Sequence, residues 1–295
     1  MIVVSGASGH LGRLVTYGLL SAVDADRVRL VTRSPGGLDA PVGTDVRLAD
    51  MNDPKTLRRA YEGAETLLII STDTVDGRSA QHAAAIDAAT DAGVGRVVYT
   101  SMISPGSDNP ALIATSHRET EEHLYASGLD WTIVRCGLYS DFQGFEAADA
   151  LRSGSLRHNR GRGRCAYVAR EDCAASIAAV LVGAEHAGAS YELTGPAAPD
   201  AEALGALYAE AGGAPIVVVG LDDDEFQREL AAASGGDGHV HYGVALTVSL
   251  GRAIREGHFA KVTDSVRRLS GREPIGVAGL LARQQGFLRE AAAVR

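Results

Sequence analysis

The sequence predicts an α/β fold in which helices cover both faces of a doubly wound parallel sheet. Short apolar runs alternate with amphipathic helical patterns along the first half of the 295 residues, and this alternation is typical of right-handed βαβ units. The first apolar run, residues 2–4, leads into the glycine-rich turn 5–12, after which a helical pattern begins. A turn of this kind between the first strand and the first helix indicates a sheet of the Rossmann type.

Three glycines give the first turn its shape. Gly6 allows the tight turn, Gly9 lets the backbone approach a pyrophosphate, and Gly12 lets the helix pack closely against the strand. The free N–H groups and the positive end of the helix dipole then face the phosphates. Since the turn follows a strand and a second strand comes next, we expect it to bind a dinucleotide.

The residues after the second strand indicate which dinucleotide binds. The predicted strand Val28–Thr32 is followed by Arg33 and Ser34. Proteins that bind NAD place an acidic residue here for the ribose 2′-hydroxyl, whereas a 2′-phosphate requires a cation. Arg33 offers a planar guanidinium to phosphate oxygens, with Ser34 as a neighbouring donor. An ordinary surface arginine is the alternative, but because no acid occupies the turn the sequence favours NADPH over NADH.

Asp50 and Met51 follow the third predicted strand, residues 46–48. At this edge of the sheet the Asp50 carboxylate can accept a hydrogen bond from an adenine amino group while Met51 packs on the ring. Asp50 is equally suited to start a turn, because Asn52 and Asp53 follow it. Both interpretations place Asp50 at the carboxyl edge of the sheet.

The next two strands bring hydroxyl side chains to the same edge. Residues 66–70 are almost wholly apolar, as in a buried parallel strand, and lead to Ser71 and Thr72. Residues 96–100 lead to Ser101. Because ligands bind outside the carboxyl ends of such strands, Ser71 and Thr72 are expected beside the nicotinamide half of the cofactor, with Ser101 at the same edge.

The helical pattern between residues 109 and 128 carries a candidate catalytic residue. Two starts fit this helix, one at residues 109–110 and one at a capping box formed by Ser116 and Glu119. His117 falls on the face that also carries the apolar residues. It is either a donor to a substrate or a hydrogen-bonding residue within the helix.

Three aromatic residues follow the sixth predicted strand, residues 131–134. Tyr139, Phe142 and Phe145 lie within seven residues, although aromatic residues make up only 5% of the chain. They are suited to cover an aromatic substrate by stacking. Anchoring a long loop is the alternative role for this group.

The second half of the chain continues the alternation less regularly. The arginine-rich run 151–164 is predicted to be a solvated hairpin. Further helices and strands are predicted at 171–181, 191–194, 200–211 and 216–219, before a largely helical tail. The acidic cluster 222–225 is expected to cap the helix after it, because consecutive carboxylates point in different directions and do not form a metal site. We therefore expect no bound metal.

The composition excludes several classes of partner. The net charge of −9 argues against nucleic acid, which requires a concentrated cationic surface. No apolar run approaches the roughly 20 residues that span a bilayer, and no signal peptide precedes the first strand. The three cysteines lack metal spacing and indicate buried thiols in a reducing cytosol. We expect a cytoplasmic protein without membrane insertion, and a homodimer is left open.

Several segments resemble the NmrA-like branch of the short-chain dehydrogenase superfamily and, within its atypical members, the NADPH-dependent quinone oxidoreductase type. The similarity is carried by VSGASGHLG, VTRSP, AGVGRVVYTSMISP and HRETEEHLYASGLDWTIVRCGLYSDF, and more weakly by YVAREDCAASIAAVL and YELTG. The resemblance implies an NADP-binding Rossmann domain, residues 1–138 completed by segments near 166–195. It also implies a smaller C-terminal α/β substrate subdomain, mainly residues 139–295, interleaved with the first.

The resemblance also assigns roles to residues. The implied pyrophosphate contacts are Gly6, Ser8, Gly9, His10 and Leu11. Arg33 would take the 2′-phosphate, Asp50 and Met51 the adenine, and Ser71 and Thr72 the nicotinamide ribose region. Relatives usually carry proline after the arginine of the sixth strand, where this chain has Cys136, so the loop that follows is expected to differ.

The chain departs from the superfamily in its acid/base chemistry. Most short-chain dehydrogenases use a tyrosine with a lysine four residues later, whose charge lowers the pKa of the tyrosine. The corresponding positions here are Ile113 and His117. Because Lys55 and Lys261 are the only lysines, no Tyr-x-x-x-Lys motif occurs anywhere in the chain. Carbonyl–alcohol interconversion by that mechanism is therefore disfavoured.

Two main hypotheses for the function follow. An oxidoreductase that passes hydride from NADPH directly to a quinone needs only near-attack geometry and a donor to the developing phenolate, because the acceptor's gain of aromaticity drives the reaction. His117, Tyr139 or water would supply that donor. The alternative is a non-catalytic NADP(H)-sensing regulator, which is found among NmrA-like relatives. A reductase of activated double bonds is a weaker third hypothesis, because those relatives generally keep a lysine in this helix.

Overall fold

The central feature of the structure is a parallel sheet. A computed structural model describes residues 1–74, 76–233 and 238–294. Its strands are β1 (Ile2–Ser5), β2 (Val28–Thr32), β3 (Asp45–Leu48), β4 (Thr66–Ile69), β5 (Arg96–Met102), β6 (Asp130–Cys136), β7 (Ser155–His158), β8 (Ala189–Leu193) and β9 (Val217–Gly220). Within the described ranges, seven of these strands form one sheet in the order β3-β2-β1-β4-β5-β6-β8. The order reverses between β1 and β4, so the carboxyl ends of these two strands flank a crevice.

Helices connect the strands and form the remaining layers. They are α1 (His10–Leu20), α2 (Pro54–Tyr61), α3 (Arg78–Asp91), α4 (Ala114–Ala126), α5 (Gln143–Ser153), α6 (Arg170–Val182), α7 (Ala201–Gly212), α8 (Asp223–Ala233), α9 (Gly238–Arg255), α10 (Ser265–Ser270), α11 (Val277–Arg283) and α12 (Gln285–Ala293). In the part of the chain that the structure describes, every helix falls short of the length and apolarity needed to cross a membrane.

Alternate residues of the strands face different helical layers. In β1, Ile2 and Val4 pack on the side of α1 and α6, whereas Val3 packs on the side of α2, α3 and α4. Gly18 of α1 lies against Ala178 of α6, where an added Cβ would come within 3.1 Å of the alanine Cβ. Helices therefore cover both faces of the sheet, which explains why its central strands β1 and β4 are nearly continuous apolar runs.

The arginine-rich segment 151–164 differs from the predicted solvated hairpin. After α5 ends, β7 pairs in parallel with β9, with Leu156 opposite Val218. Leu156 is buried in the C-terminal core, and Arg160 forms a largely buried ion pair with Glu146 of α5. The prediction was wrong because the partner strand lies far along the chain, so no local pattern reveals the pairing.

The start of α4 also differs from both predicted starts. The helix begins at Ala114. The Ser116 hydroxyl donates to the Ile113 carbonyl (2.9 Å), and the Glu119 carboxylate accepts from Ser79 Oγ of α3 (2.6 Å). Both side chains of the predicted capping box are therefore engaged elsewhere.

The acidic cluster 222–225 caps α8, which confirms the predicted role. The Glu225 N–H donates to Asp222 Oδ1 (2.7 Å), and the Asp222 N–H donates to Glu225 Oε2 (3.4 Å). This reciprocal pattern is a capping box. Asp223 instead accepts from Arg255 Nη1 of α9 (2.8 Å), so the cluster joins two helices of the C-terminal part.

Gly12 is a position where the fold leaves no space for a side chain. A Cβ added there would lie 2.3 Å from the Gly6 carbonyl oxygen and 2.8 Å from Ala7 Cα, both of them backbone atoms that cannot rotate away. We expect Gly12→Ala to lower the free energy of unfolding by about 1–3 kcal/mol, the usual effect of overpacking, as measured by urea denaturation. The matched control is Gly286→Ala, because a Cβ added at this exposed helical position would meet no atom within 4 Å beyond its chain neighbours and its own helix backbone. Equal stability of the two variants would contradict the prediction.

Candidate active site

A cavity of about 920 Å³ opens at the carboxyl edge of the large sheet. Its walls come from the turn after β1, from the ends of β2, β4, β5 and β6, and from α4, α8 and α9. The cavity therefore lies at the point where the strand order reverses, which is the usual ligand site of this architecture. Predicted site residues in its walls are Gly6, Ser8, Gly9, His10, Leu11, Gly12, Arg33, Asp50, Met51, Ser71, Thr72, Ser101, His117, Tyr139 and Phe142.

The glycine turn presents the start of α1 to this cavity. Gly6 adopts a positive φ of 91°, which an L side chain rarely allows. Its N–H donates to the Val31 carbonyl (3.1 Å), and the Gly9 N–H donates to the Gly6 carbonyl (3.1 Å). The first N–H groups of α1 have no partner within the helix, so they and the helix dipole are available to a pyrophosphate.

Arg33 lies in the cavity wall, whereas Ser34 does not. Arg33 lines the cavity, is exposed, and has no ion-pair partner among the described residues. Ser34 lies outside the cavity wall, and its N–H donates to Thr32 Oγ1 (3.2 Å). The Thr32 hydroxyl in turn donates to Ser8 Oγ (2.9 Å), which links the second strand to the glycine turn. The free guanidinium is therefore the group suited to a ribose phosphate.

Asp50 starts a local turn, which is one of the two interpretations that the sequence left open. Asp50 Oδ1 accepts from the N–H (2.9 Å) and from Nδ2 (3.0 Å) of Asn52, which is a local turn. Asp50 and Met51 both line the cavity. The turn fixes Oδ1 of Asp50. The adenine contact of Asp50 and Met51 stays a prediction.

Four buried polar atoms near the ends of β4 and β5 lack a hydrogen-bond partner in the described part of the chain. They are Thr72 Oγ1, Arg78 Nε, Gln81 Oε1 and Ser101 Oγ. All four residues line the cavity. Because an unpartnered buried polar group is unfavourable, a ligand rich in donors and acceptors fits this part of the wall. The ribose hydroxyls, phosphates and carboxamide of a dinucleotide are such groups.

A chain of buried hydrogen bonds runs from the loop after β4 to His117. The Thr72 N–H donates to His82 Nε2 (3.2 Å), and His82 Nδ1 lies 2.9 Å from Thr120 Oγ1 and 3.2 Å from the Tyr99 hydroxyl. The same hydroxyl lies 2.8 Å from His117 Nδ1. Nε2 of His117, a residue of the cavity wall, makes no hydrogen bond with the described residues. These hydrogen bonds connect α3, β5 and α4 behind the predicted nicotinamide site.

Burial keeps both imidazoles of this chain neutral. It lowers the pKa of His117 to about 3, with further lowering by the neighbouring His82 and by the Arg78 guanidinium. It lowers the pKa of His82 to about 4, again with a contribution from Arg78. Burial also raises the pKa of Tyr99 above its usual value, so its hydroxyl stays protonated. None of these three groups changes charge between pH 5 and pH 9.

Acid is therefore expected to destabilise the fold through these histidines. Their pKa values in the folded chain lie below the unfolded value of 6.5, so the unfolded chain takes up protons that the folded chain excludes as the pH falls below 6.5. The stabilisation present above pH 6.5 is lost progressively towards pH 4. We expect the free energy of unfolding, measured by urea denaturation, to be about 2–4 kcal/mol lower at pH 5 than at pH 7. In a His117→Gln variant, the free energy of unfolding should fall less between pH 7 and pH 5, because one of the two buried imidazoles is absent. A wild type as stable at pH 5 as at pH 7 would contradict the prediction.

The aromatic residues after β6 are held by a cation that the sequence analysis did not single out. The Arg170 guanidinium lies 4.5 Å from the Tyr139 ring centre and 4.6 Å from that of Phe142, a cation–π arrangement. Its Nη1 lies 3.5 Å from His10 Nδ1. Arg170 thus connects the aromatic wall with the glycine turn. Phe145 is 70% exposed and lies outside the cavity wall, because the first turn of α5 directs it to solvent.

Other functional candidates were also missed by sequence reasoning. Arg78, His82 and Tyr99 lie behind or within the cavity wall, yet His82 falls in an alanine-rich helix and Tyr99 within an apolar strand. A tyrosine and a histidine in otherwise apolar segments are the only local signals. Arg170 carries no signal at all, since its partners lie far away in the sequence.

The comparisons with known proteins agree with this geometry. The family model for NAD(P)H-binding proteins matches residues 6–183. The chain belongs to the NAD(P)H-binding family. Quinone oxidoreductase 2 of Escherichia coli (strain K12) is 35% identical to this chain over 240 residues, which is 81% of this chain and 84% of that protein. An NAD(P)H azoreductase of Xenophilus azovorans is 25% identical over 92% of this chain and 93% of its own.

Solved structures place this NAD(P)H-binding family member within the same fold. The crystal structure of an NADPH-dependent quinone oxidoreductase from Escherichia coli complexed with NADPH superposes with a TM-score of 0.90 at 31% identity, over 98% of this chain and 99% of that chain. Triphenylmethane reductase from Citrobacter sp., complexed with NADP(H), superposes with a TM-score of 0.87 at 28% identity, over 97% and 100%. The predicted fold class and the family resemblance are confirmed. The expected function is confirmed as far as an NAD(P)H-dependent oxidoreductase.

Proposed function

We propose that this protein transfers hydride from NADPH to a quinone or a similar electron-poor conjugated acceptor, without a Tyr-x-x-x-Lys pair. The observation that carries the proposal is the neutral His117 in the cavity wall, in a helix where most short-chain dehydrogenases place their lysine. Both lysines lie away from the cavity: Lys55 is in α2, and Lys261 pairs with Glu192 (2.7 Å). A neutral donor suits an acceptor that is already electrophilic.

Arg33 supports NADPH as the hydride donor. Its guanidinium is unpaired within the described chain and faces the cavity beyond β2. When bound, NADPH supplies two electrons and one proton as hydride to the acceptor. The glycine turn, Arg33 and the unpartnered polar atoms near Ser101 would hold it along the carboxyl edge of the sheet. The related quinone oxidoreductase with bound NADPH supports the same choice.

The second half of the cavity is suited to a planar apolar acceptor. Its walls include Leu138, Tyr139 and Phe142 after β6, and Leu250 and Ile254 of α9. Apolar walls exclude water and allow ring stacking. His117 would donate a hydrogen bond to the oxygen that becomes a phenolate, which stabilises the developing charge.

The volume of the cavity supports an enzyme over an NADP(H)-sensing regulator. At about 920 Å³ it lies at the upper end of the usual size of ligand sites, about 300–1,000 Å³. Its lining continues from the glycine turn and Arg33 to Leu138, Leu250 and Ile254, so the cavity extends beyond the proposed dinucleotide contacts towards space for an acceptor. A regulator that only senses the cofactor has no need of such space.

Purified protein with NADPH and a panel of benzoquinones and naphthoquinones tests the proposal. We expect quinone-dependent loss of NADPH absorbance, faster than with NADH at the same concentration. A reaction without protein measures the direct chemical background. Tight NADPH binding by calorimetry without turnover of any quinone would refute the proposal and favour the regulator.

A further inference from the structure

The hydrogen-bond chain behind His117 has a fixed direction. It begins at the Thr72 N–H, 3.2 Å from His82 Nε2, and a backbone amide can only donate. His82 Nε2 must therefore be the acceptor nitrogen. A neutral imidazole has one donor and one acceptor nitrogen, so its proton lies on Nδ1.

A second anchor fixes the same proton independently. The Thr120 hydroxyl donates to the Ser116 carbonyl (2.7 Å), and a carbonyl can only accept. With its proton used in this way, Thr120 Oγ1 must accept from His82 Nδ1, 2.9 Å away. Two backbone groups, one at each side of His82, therefore require the same tautomer.

Tyr99 passes this direction on to His117. Its hydroxyl lies 3.2 Å from His82 Nδ1 and 2.8 Å from His117 Nδ1. Since His82 Nδ1 carries a proton and cannot accept, His117 Nδ1 is the one of these two nitrogens to which the Tyr99 hydroxyl can donate. His117 then carries its proton on Nε2, the nitrogen without a partner in the described chain.

We propose that Tyr99 and His82 are positioning residues that hold His117 as the Nε2–H tautomer, so that His117 is a fixed hydrogen-bond donor and not the proton source of the reaction. This inference rests on the proposed function. The acceptor class is thereby narrowed to compounds whose reduction places negative charge on an oxygen or nitrogen that can accept this hydrogen bond.

The same direction prevents His117 from giving its proton away. If the Nε2 proton left, His117 Nδ1 would need the Tyr99 proton, and Tyr99 would need the proton of His82 Nδ1. His82 cannot be resupplied, because its Nε2 faces an amide that does not release a proton. The transfer would leave His82 as a buried imidazolate anion, which is strongly disfavoured. With hydride supplied by bound NADPH, the proton that completes the hydroquinone would therefore come from water and not from His117.

The charged and titratable groups around His117 agree with this role. Arg78 from α3 and His82 both oppose a positive charge on His117. Tyr99 from β5 presents a protonated hydroxyl. The tautomer is thus expected to persist from pH 5 to pH 9.

Long-range ¹H–¹⁵N NMR of protein labelled with ¹⁵N-histidine reads the tautomer directly. The His117 signals are assigned by their loss in the His117→Gln variant. We expect a single neutral form with the proton on Nε2 at pH 7, with and without NADP. A proton on Nδ1, or a mixture of tautomers in the wild type, would overturn the inference whether or not the protein reduces quinones.

Tyr99→Phe tests the positioning role, with Tyr61→Phe as its matched control. Both tyrosines are fully buried, and Tyr61 donates to or accepts from Ser5 Oγ (2.9 Å), away from His117. We expect Tyr99→Phe to give mixed His117 tautomers and a kcat lower by about threefold to tenfold, the factor of one hydrogen bond, with unchanged Kd for NADPH. Tyr61→Phe should keep the single tautomer and the kcat.

The outcomes separate this inference from the proposed function. Absence of quinone turnover, with the Nε2–H tautomer present and lost in Tyr99→Phe, refutes the function and supports the positioning of His117. Turnover with an unchanged tautomer in Tyr99→Phe supports the function and overturns the inference. If Tyr99→Phe does not fold, the wild-type spectrum alone decides the tautomer.

Discussion

Replacing Arg33 by alanine is expected to weaken NADPH binding by about 1.5–3 kcal/mol, the range for hydrogen bonds to charged groups, and to leave NADH binding nearly unchanged. The reason is chemical: the two cofactors differ only in the 2′-phosphate, and Arg33 is the exposed, unpaired cation of the cavity wall just after β2. Isothermal titration of both cofactors into both proteins measures the difference.

Arg59→Ala is the matched control for this experiment. Arg59 is an exposed arginine of α2 that lies outside the cavity wall, so its loss changes the net charge equally without touching the predicted phosphate site. A general electrostatic effect would appear in both variants. Equal loss of NADPH and NADH affinity in Arg33→Ala would refute the assignment of the phosphate site.

Replacing His117 by alanine is expected to lower kcat for quinone reduction by about 10²-fold, the effect of removing one donor that stabilises developing charge. The Kd for NADPH should stay within about twofold, because the proposed partner of His117 is the acceptor. His117→Gln, which keeps an amide donor at this position, should recover part of the rate. Stopped-flow measurement of NADPH oxidation separates the hydride step from product release.

The control for His117→Ala lies on the same helix. His123 of α4 is 39% exposed and pairs with Asp87 of α3 (2.7 Å), so His123→Ala removes an imidazole from α4 without reaching the cavity. We expect it to retain the wild-type kcat. A wild-type kcat in His117→Ala would contradict the catalytic role of His117. Water would then be the hydrogen-bond donor to the developing phenolate.

The part of the cavity proposed for the dinucleotide could be predicted from the sequence because its determinants are local. Gly6, Gly9 and Gly12 act through backbone conformation and close approach within one turn, and Arg33 directly follows a strand. The parallel sheet then carries each strand end to the same edge. Positions such as Ser71 and Ser101 therefore reach the cavity even though their side chains make no recognisable motif.

The part of the cavity proposed for the acceptor was less predictable because its contacts are long-range. The pairing of β7 with β9 joins segments far apart in the chain, so the run containing Arg160 gave the impression of a solvated hairpin. Arg170 stacks on Tyr139 and Phe142, but only the folded chain brings it there. Phe145 was grouped with them by spacing, and the first turn of α5 separates it from them.

The sequence by itself determined the sheet, the glycine turn at its edge and the cation beside that turn, because strand periodicity, glycine spacing and the residue at a strand end are properties of neighbouring residues. Only the tertiary structure decided what His117 can do. Its tautomer depends on Tyr99, His82 and two backbone groups, which come from different elements and meet only when α3 and α4 pack beside β5. Hydrogen-bond direction is a property of the assembled network, so no single segment of the chain contains it.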